Sequence, residues 1–396
     1  MNMYVLVLSS LWIVPTVLIL YNLRTWKTRW TATASSGEVS VLVPARNEEK
    51  NISGLIESVL GTGNSAHVSE LIVYDDWSGD RTAQIVGQWH QKDQRVRLLP
   101  ATELSCDWVG KPYACQQLLH ASKSRFVLFL DADVRLHAGG LEQLLSIMAQ
   151  PESPTLATAV PRQITGTTLE HMIVPLLHLT YLSWLPLRWA NRRLDPHTVA
   201  ACGQVMLAER EKLLRLGGFS AVSHEVVDDV ALCRHARSRG QTVHFVDGVN
   251  LASCRMYRSA AEVWSGFSKN LYLGLGSPLA FIMATGLYFC AFVLPYVTFL
   301  SGLWLAFPAL FLRIVPGQID HLPGLILGGV GILANVGIRA LLARRYRHPL
   351  SSVWLHPLSV VLLLLIALNS LLWVLRGRIR WSGRTYSPAR KQGFAR

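Results

Sequence analysis

Acidic residues are missing from both ends of this 396-residue chain. Of its 25 Asp and Glu residues, 24 lie between Glu38 and Glu262, and Asp320 is the exception. Charge is scarce throughout: 16% of residues are charged, where a soluble globular domain carries about 25%. Apolar residues make up 51%, and mean hydropathy is +0.29. These shortages exclude a disordered chain and an ordinary soluble enzyme. The central stretch holds 22 Lys and Arg against its 24 acids, and the other 16 basic residues flank it. The basic pI of about 9.7 therefore belongs to the flanks, where cations would face the anionic headgroups of a bilayer. No basic stripe interleaved with aromatics occurs in the centre, so no nucleic-acid partner is expected. The six cysteines (Cys106, Cys115, Cys202, Cys233, Cys254, Cys290) show no C-x-x-C spacing. That suggests free thiols in a reducing compartment and no zinc site. Neither G-x-x-x-x-G-K-[ST] nor G-x-G-x-x-G is present, which removes support for a P-loop or a dinucleotide site.

Long apolar runs are what the flanks do contain. Met3–Leu23 is uncharged and long enough to cross a bilayer, and Arg24, Lys27 and Arg29 follow it. It has no n-region charge and no small-residue cleavage site, so it reads as an uncleaved anchor with residue 24 onward in the cytoplasm. Leu279–Leu312, Leu322–Leu342 and Val353–Leu375 are further apolar stretches. Arg344-Arg345-Tyr346-Arg347 and the seven basic residues after Leu375 both favour the cytoplasmic side. Three or four C-terminal segments satisfy these flanks, the fourth arising if Leu279–Leu312 is a hairpin split near Pro295 or Ser301. Leu169–Trp189 is also apolar but is broken by Pro175, Pro186, His171, His178 and Arg188, so it reads as interfacial. The expected organisation is an anchor over residues 1–30, a cytoplasmic domain over 31–275, membrane helices over 276–376 and a basic cytoplasmic tail over 377–396. The expected location is the inner (plasma) membrane, crossed several times.

In the central domain, apolar strands alternate with helical patterns. Strands are expected from Glu38 to Val43, Leu71 to Tyr74, Val96 to Leu99 and Phe126 to Leu130. Helices are expected over Asn51–Leu60, Thr82–Trp89, Lys111–His120 and Val230–Ser238. The alternation predicts an α/β fold, a Rossmann-like, mostly parallel sheet with flanking helices. Short, continuously apolar strands suit a sheet covered on both faces. Ligands of such sheets bind beyond the carboxyl ends of the strands. Asp75-Asp76 and Asp131-Ala132-Asp133 both follow strands, so they are expected to face one crevice.

Asp131 and Asp133 are the sharpest signal. Two carboxylates one residue apart can hold Mg²⁺ or Mn²⁺ and a ribose, and a hard cation with oxygen ligands suits a diphosphate. The plainer alternative is a turn whose aspartate caps the next helix. Asp76 can accept a hydrogen bond from a nucleobase or ribose, while Asp80 and Thr82 cap the helix that follows. Lys111, after Trp108-Val109-Gly110, opens a helix where a cation meets phosphate; a solvated lysine is the alternative. Asp228 and Asp229 lie at another helix start, which keeps a carboxylate ionised and suits a general base. Gly203 and Gln204 follow a small-residue strand end, where a substrate can approach the backbone.

Taken together, Val41-Leu42-Val43-Pro44-Ala45-Arg46-Asn47-Glu48, Asp75-Asp76-x-Ser78-x-Asp80-x-Thr82, Trp108-x-Gly110-Lys111, Asp131-x-Asp133 and Val227-Asp228-Asp229 with Arg234 and Gly240 resemble a family 2 glycosyltransferase with a GT-A domain. The resemblance covers roughly residues 38–270. It implies that Pro44, Arg46, Glu48 and Asp76 hold the nucleotide, with Lys111 and Asp131 beside it. It further implies that Asp131 and Asp133 handle the metal, Mg²⁺ or Mn²⁺. It makes Asp229 the catalytic base, with Asp228 standing where glutamate is usual. The Q-x-x-R-W of the processive branch is replaced by Arg255-Met256-Tyr257-Arg258 and Trp264-Ser265-Gly266-Phe267-Ser268-Lys269-Asn270, which argues against a polysaccharide synthase. Those segments and the tail Trp381-Ser382-Gly383-Arg384-Thr385-Tyr386 are similar to bacterial transferases that act on membrane lipids, the carotenoid (hydroxychlorobactene-type) glucosyltransferases above all. Gly203, Gln204, Trp264 and Lys269 are then substrate candidates. The expected reaction is an inverting, metal-dependent transfer of a hexose, glucose from a UDP-sugar donor, to a hydroxyl on an apolar membrane lipid, a hydroxycarotenoid. Hopanoid, diacylglycerol and polyprenyl-phosphate acceptors are the nearest rivals. A nucleotidyltransferase would need a Gly-rich, Arg-bearing loop that Pro44-Ala45-Arg46-Asn47 does not supply. A non-catalytic scaffold would not need the acids.

Overall fold

The structure is a computed structural model. It describes residues 7, 10–26, 30, 38–61, 63–104, 108–150, 153–311, 322–377, 379–381 and 384–386. Most of the apolar run Met3–Leu23 is covered by the helix Ile13–Thr25, but its first residues, like Cys106, lie outside the described set. The five described cysteines are free thiols.

The chain forms two compact units that interleave along the sequence. Among the described residues, one comprises Trp26–Ile164 and Leu187–Met256; the other comprises the N-terminal helix, Thr165–Pro186 and the chain from Tyr257 to Tyr386. Residues 165–186 and 257–275, placed above with the central domain, thus pack with the apolar helices.

The first unit carries an eight-stranded sheet. Its strands are β1 (Val39–Ala45), β2 (Val68–Asp75), β3 (Val96–Pro100), β4 (Phe126–Leu130), β5 (Val134–Leu136), β6 (Leu156–Gln163), β7 (Val205–Glu209) and β8 (Val243–Cys254), in the order β3-β2-β1-β4-β7-β6-β8-β5. The β3-β2-β1-β4 half is parallel, as the alternation of strands and helices predicts. The rest is mixed: β7 runs antiparallel to β4 and β6, β5 runs antiparallel to β8, and β6 and β8 are parallel. The α/β fold is therefore as expected, with the parallel pattern confined largely to its first half. The four later strands depart from the sequence pattern because their pairing is not set by strand–helix alternation: β7 inserts antiparallel between β4 and β6, and β5 returns to the edge beside β8.

Strand periodicity divides the core in two. Val41, Val43, Leu128 and Leu130 pack on one face with the helix Ile52–Leu60 through Ile52, Leu55, Ile56 and Val59. Leu42, Ile72, Val127 and Phe129 pack on the other with Leu118 and Leu119 of the helix Gly110–Ala121. Successive residues point to opposite faces, so a continuous apolar strand is what a doubly covered sheet requires.

The register fixes the site. Ala45 pairs with Asp75, and Leu130 with Val205. The chain leaving β1, β2 and β4 and the chain entering β7 therefore share one sheet edge.

In the second unit, Leu322–Tyr346 and His356–Leu375 are long and apolar enough to cross a membrane. A third candidate is the pair Ala260–Leu275 and Pro278–Phe292, bent by 117°. Of the three or four C-terminal segments expected, these are the ones that meet the criterion of length and composition among the described residues. The stretch from Leu279 breaks at Val293, between Pro278–Phe292 and Leu294–Phe311, two residues before Pro295. Gly328 lets two of these helices close: a Cβ there would lie 2.7 Å from Pro295 O, the close approach that small residues permit between membrane helices. Large apolar side chains such as Leu333 and Trp354 stay about three-quarters exposed (73% and 75%), which suits lipid rather than water. Leu169–Trp189 forms only the short helices Thr168–Ile173, Leu176–Ser183 and Leu187–Ala190, and none of them has the length of a span.

Candidate active site

At the shared edge, the loops after β1 and β2 are tied together by side chains. Ser78 Oγ accepts from Asn47 N at 2.9 Å, Thr82 Oγ1 from Glu48 N at 2.8 Å and Asp80 Oδ2 from Glu49 N at 3.0 Å. Asp80 Oδ1 also accepts from Thr82 N at 3.0 Å, so Asp80 and Thr82 take the turn and cap roles. Desolvation works to raise the Asp80 carboxyl, but hydrogen bonds from the Thr82 hydroxyl and backbone N–H groups outweigh it and hold its pKa below the usual value. Asp76 sits 3.6 Å from Arg46 Nη1, and its N–H donates to Ala45 O at 2.8 Å. Half-buried Pro44 precedes this crossing and pairs with Tyr74.

Glu48 points toward the D-x-D pair. Burial raises its carboxyl pKa to about 7 against the hydrogen bond from Asn51, and the charges of Asp133, Asp131 and Asp80 raise it further. Asp133 is raised to about 6, first by desolvation and then by Asp131, with a hydrogen bond from the Cys254 thiol opposing. Its Oδ1 is buried without a partner. Asp131 accepts a 2.6 Å ion pair from Lys111 Nζ. Lys111 also feels Asp228, and despite burial these charges hold its ammonium well above the ordinary lysine value.

The catalytic candidates close the same group. The helix begins at Asp228, two residues before the expected Val230, so both aspartates lie in its first turn. Asp229 Oδ2 accepts from Gly203 N at 2.6 Å and Oδ1 from Val230 N at 2.8 Å. A side chain at Gly203 would press on the base, since a Cβ would come 3.1 Å from Asp229 Cβ. Gln204 O accepts from Asp131 N at 3.2 Å, and Gln204 Oε1 accepts from Gln163 Nε2 at 2.8 Å.

One constellation thus gathers Arg46, Glu48, Asp76, Lys111, Asp131, Asp133, Gly203, Gln204, Asp228 and Asp229. Trp264 and Lys269, the other two substrate candidates, lie on the helix Ala260–Leu275 of the second unit. Gln163 and Cys254 were missed. They end β6 and β8 and pair with each other, strands that gave no distinctive sequence pattern; in the sequence they are a lone amide and a lone thiol.

The donor set fits a hard divalent cation. Asp133 presents a buried oxygen lacking a partner beside Asp131, and carboxylate oxygens are what Mg²⁺ and Mn²⁺ prefer. Among the described residues, no three His, Cys, Asp or Glu side chains are placed to enclose an ion. Oxygens from a ligand such as a diphosphate would complete the shell.

An α/β sheet that gathers carboxylates and a lysine at its strand ends is the frame of a GT-A transferase. Residues 40–216 match the model of glycosyl transferase family 2. The chain is similar to 4,4'-diaponeurosporenoate glycosyltransferase of Staphylococcus haemolyticus strain JCSC1435, 27% identical over 247 residues, covering 62% of this chain and 64% of the relative. The enzyme of the same name from Staphylococcus aureus strain USA300 is 26% identical over 253 residues with the same coverage. The chain thus spans just under two thirds of these relatives. A mannosyltransferase of Pyrobaculum calidifontis, solved with GDP-Man and Mn²⁺, shares the fold with a TM-score of 0.54 and 17% identity, over 92% of this chain and 99% of that one.

Proposed function

We propose that this glycosyltransferase moves a hexose, glucose from UDP-glucose, onto an oxygen of a carotenoid with inversion at the anomeric carbon. The observation that carries the proposal is the convergence of Asp131, Asp133, Lys111 and Asp229 on one sheet edge. Asp76 and Arg46 bind the nucleoside end, and Asp131 and Asp133 hold Mg²⁺ or Mn²⁺ with the diphosphate. When bound, the cation supplies Lewis-acid stabilisation of the departing diphosphate. Lys111 adds positive charge beside it.

Asp229 takes the acceptor proton while the acceptor oxygen bonds to the anomeric carbon and the bond to the diphosphate breaks. The two backbone N–H groups that hold its carboxylate orient it for that transfer. An acceptor this apolar stays in the bilayer, since extraction costs about 0.8 kcal/mol per CH₂. The apolar helices of the chain keep the catalytic unit tethered to that phase.

A second acceptor chemistry is favoured by the name of the relatives, which denotes a carotenoid carboxylate. Attack by a carboxylate needs no proton removed at neutral pH, so Asp229 would then be dispensable as a base. The test is UDP release from UDP-glucose by membranes carrying wild type, Asp133→Ala or Asp229→Asn, with a hydroxycarotenoid, a carotenoid acid or no acceptor. Release that requires a carotenoid and falls at least a hundredfold in both variants is expected with a hydroxyl acceptor. A fall in Asp133→Ala alone with the acid selects the carboxylate reading. Activity surviving both substitutions with both acceptors overturns the site.

A further inference from the structure

Arg339 lies within the apolar helix Leu322–Tyr346 and is fully buried (0% exposed). Its Nη1 is 3.4 Å from the carbonyl oxygen of Pro175. Its Nε and Nη2 are buried without partners, and among the described residues no carboxylate pairs with it. Two histidines lie within reach of its charge, His178 and His356. Both are fully buried. Neither ring nitrogen of His356 has a hydrogen-bond partner, and Nε2 of His178 has none. Aromatic rings close the surroundings: Phe292 meets His356 edge-on with centroids 5.5 Å apart, and Tyr346 stacks on His178 at 3.9 Å.

A guanidinium that cannot lose its proton is costly inside a membrane protein unless an anion or a full set of acceptors meets it. Here one carbonyl meets one nitrogen, and the other polar groups near its charge are the Tyr288 hydroxyl and two imidazoles, all of which can donate. We infer that Arg339, with His356 and His178, forms a binding site for the oxyanion of a membrane lipid, a carboxylate or a phosphate. The guanidinium fork presents paired N–H donors to two oxygens at once. The apolar surroundings favour an anion carried on a lipid chain over a hydrated free ion, because the chain's burial offsets removal of the oxyanion from water.

The test uses the full chain in nanodiscs and reads lipid retention by native mass spectrometry, without sugar transfer, so it stands apart from the catalytic assignment. Phosphatidylcholine alone, phosphatidylcholine with phosphatidylglycerol, phosphatidylcholine with a long-chain fatty acid, and inorganic phosphate are the four arms. Wild type and exposed-charge control Arg344→Gln are expected to retain one anionic lipid through washing that strips phosphatidylcholine. Arg339→Gln is expected to lose that retention about tenfold or more, and Arg339→Lys less, because a point charge keeps attraction but not the fork. Retention of phosphatidylglycerol alone identifies a phosphate headgroup, and retention of the fatty acid alone identifies a carboxylate. Should Arg339→Gln fail to fold, the melting temperature of wild type decides: a rise with either anionic lipid and none with phosphatidylcholine supports the site, and no rise overturns it. Equal retention by wild type and Arg339→Gln, or a response to inorganic phosphate alone, also overturns it.

Discussion

Lys111 Nζ sits 2.6 Å from Asp131 Oδ1, so the ammonium occupies one of the two carboxylates proposed to hold the metal. A cation already there opposes a second one. Binding of a metal–diphosphate would recruit Lys111 to the phosphate and release the carboxylate. Lys111→Met should therefore bind Mn²⁺ several-fold tighter in the absence of nucleotide, while the catalytic efficiency with the sugar donor falls at least tenfold. Mn²⁺ titration followed by electron paramagnetic resonance, beside steady-state kinetics, checks both signs. A variant with weaker Mn²⁺ binding would show that the lysine supports the ion instead of competing with it.

The raised carboxyls of Asp133 and Glu48 set a pH window. Their folded pKa values, about 6 and about 7, exceed the ordinary values of about 3.9 and 4.3. The folded protein thus holds protons that the unfolded chain has released, so these two groups favour the metal-free fold as pH falls from about 8 toward 5. Metal binding needs the ionised form and moves the other way. Expected outcomes are a metal-free melting temperature for the catalytic unit that rises as pH is lowered through 7 and 6, and Mn²⁺ affinity that drops over the same interval. Asp133→Asn should raise the metal-free melting temperature at pH 8 by a few degrees and abolish the Mn²⁺ effect. Calorimetry with and without Mn²⁺ measures both.

Gly203 and Asp229 make a third prediction. A methyl group at position 203 would press on the aspartate side chain at 3.1–3.3 Å, so it must move. Gly203→Ala should lower kcat roughly ten- to a hundredfold with little change in the KM for the donor, since the displaced group acts on the acceptor. Asp229→Asn should cost about a hundredfold to ten-thousandfold with a hydroxyl acceptor, and Asp228→Asn less. The reverse ranking would assign the base to Asp228, the residue whose charge bears on Lys111.

The half of the sheet that bears the nucleotide-side residues was legible because its strands are short apolar runs ended by acids. Val41–Val43, Leu71–Tyr74 and Phe126–Leu130 each bury both faces, and their ends pair in register. β7 and β8 were not legible, because Val205–Glu209 and Val243–Cys254 pair with neighbours remote in sequence, β7 antiparallel to β4 and β8 both parallel to β6 and antiparallel to β5. Their contributions to the site, the Gly203 N–H, the Gln204 amide and the Cys254 thiol, are single polar groups whose meaning lies in position alone. Trp264 and Lys269 drew attention as residues following the catalytic segment, yet the helix that carries them groups with the apolar elements. Arg339 was visible as a charge in an apolar run; only its burial and the two histidines near it distinguish it from a residue at a membrane boundary.

The loops after β1 and β2 give the last prediction. Asp80 is one of the side chains that span them: Oδ2 takes the Glu49 N–H across the gap, and Oδ1 takes the Thr82 N–H of its own loop. Removing the carboxylate leaves two backbone donors unmet and cuts one of the ties between the segments that carry Glu48 and Asp76. Asp80→Ala should lose about 1–2 kcal/mol of stability, as loss of a cap does, and raise the KM for the sugar nucleotide several-fold while kcat holds. The depressed carboxyl of Asp80 gives the pH signature. Its contribution is full above the ordinary aspartate value near 3.9 and disappears as pH falls through the lower folded value. The stability gap between wild type and Asp80→Ala should therefore stay constant from pH 8 to 5 and narrow below about 4. Denaturant unfolding of both proteins across that range, with donor kinetics at pH 7.5, tests it, and a KM unchanged in the variant would mean that the two loops hold their positions without this bridge.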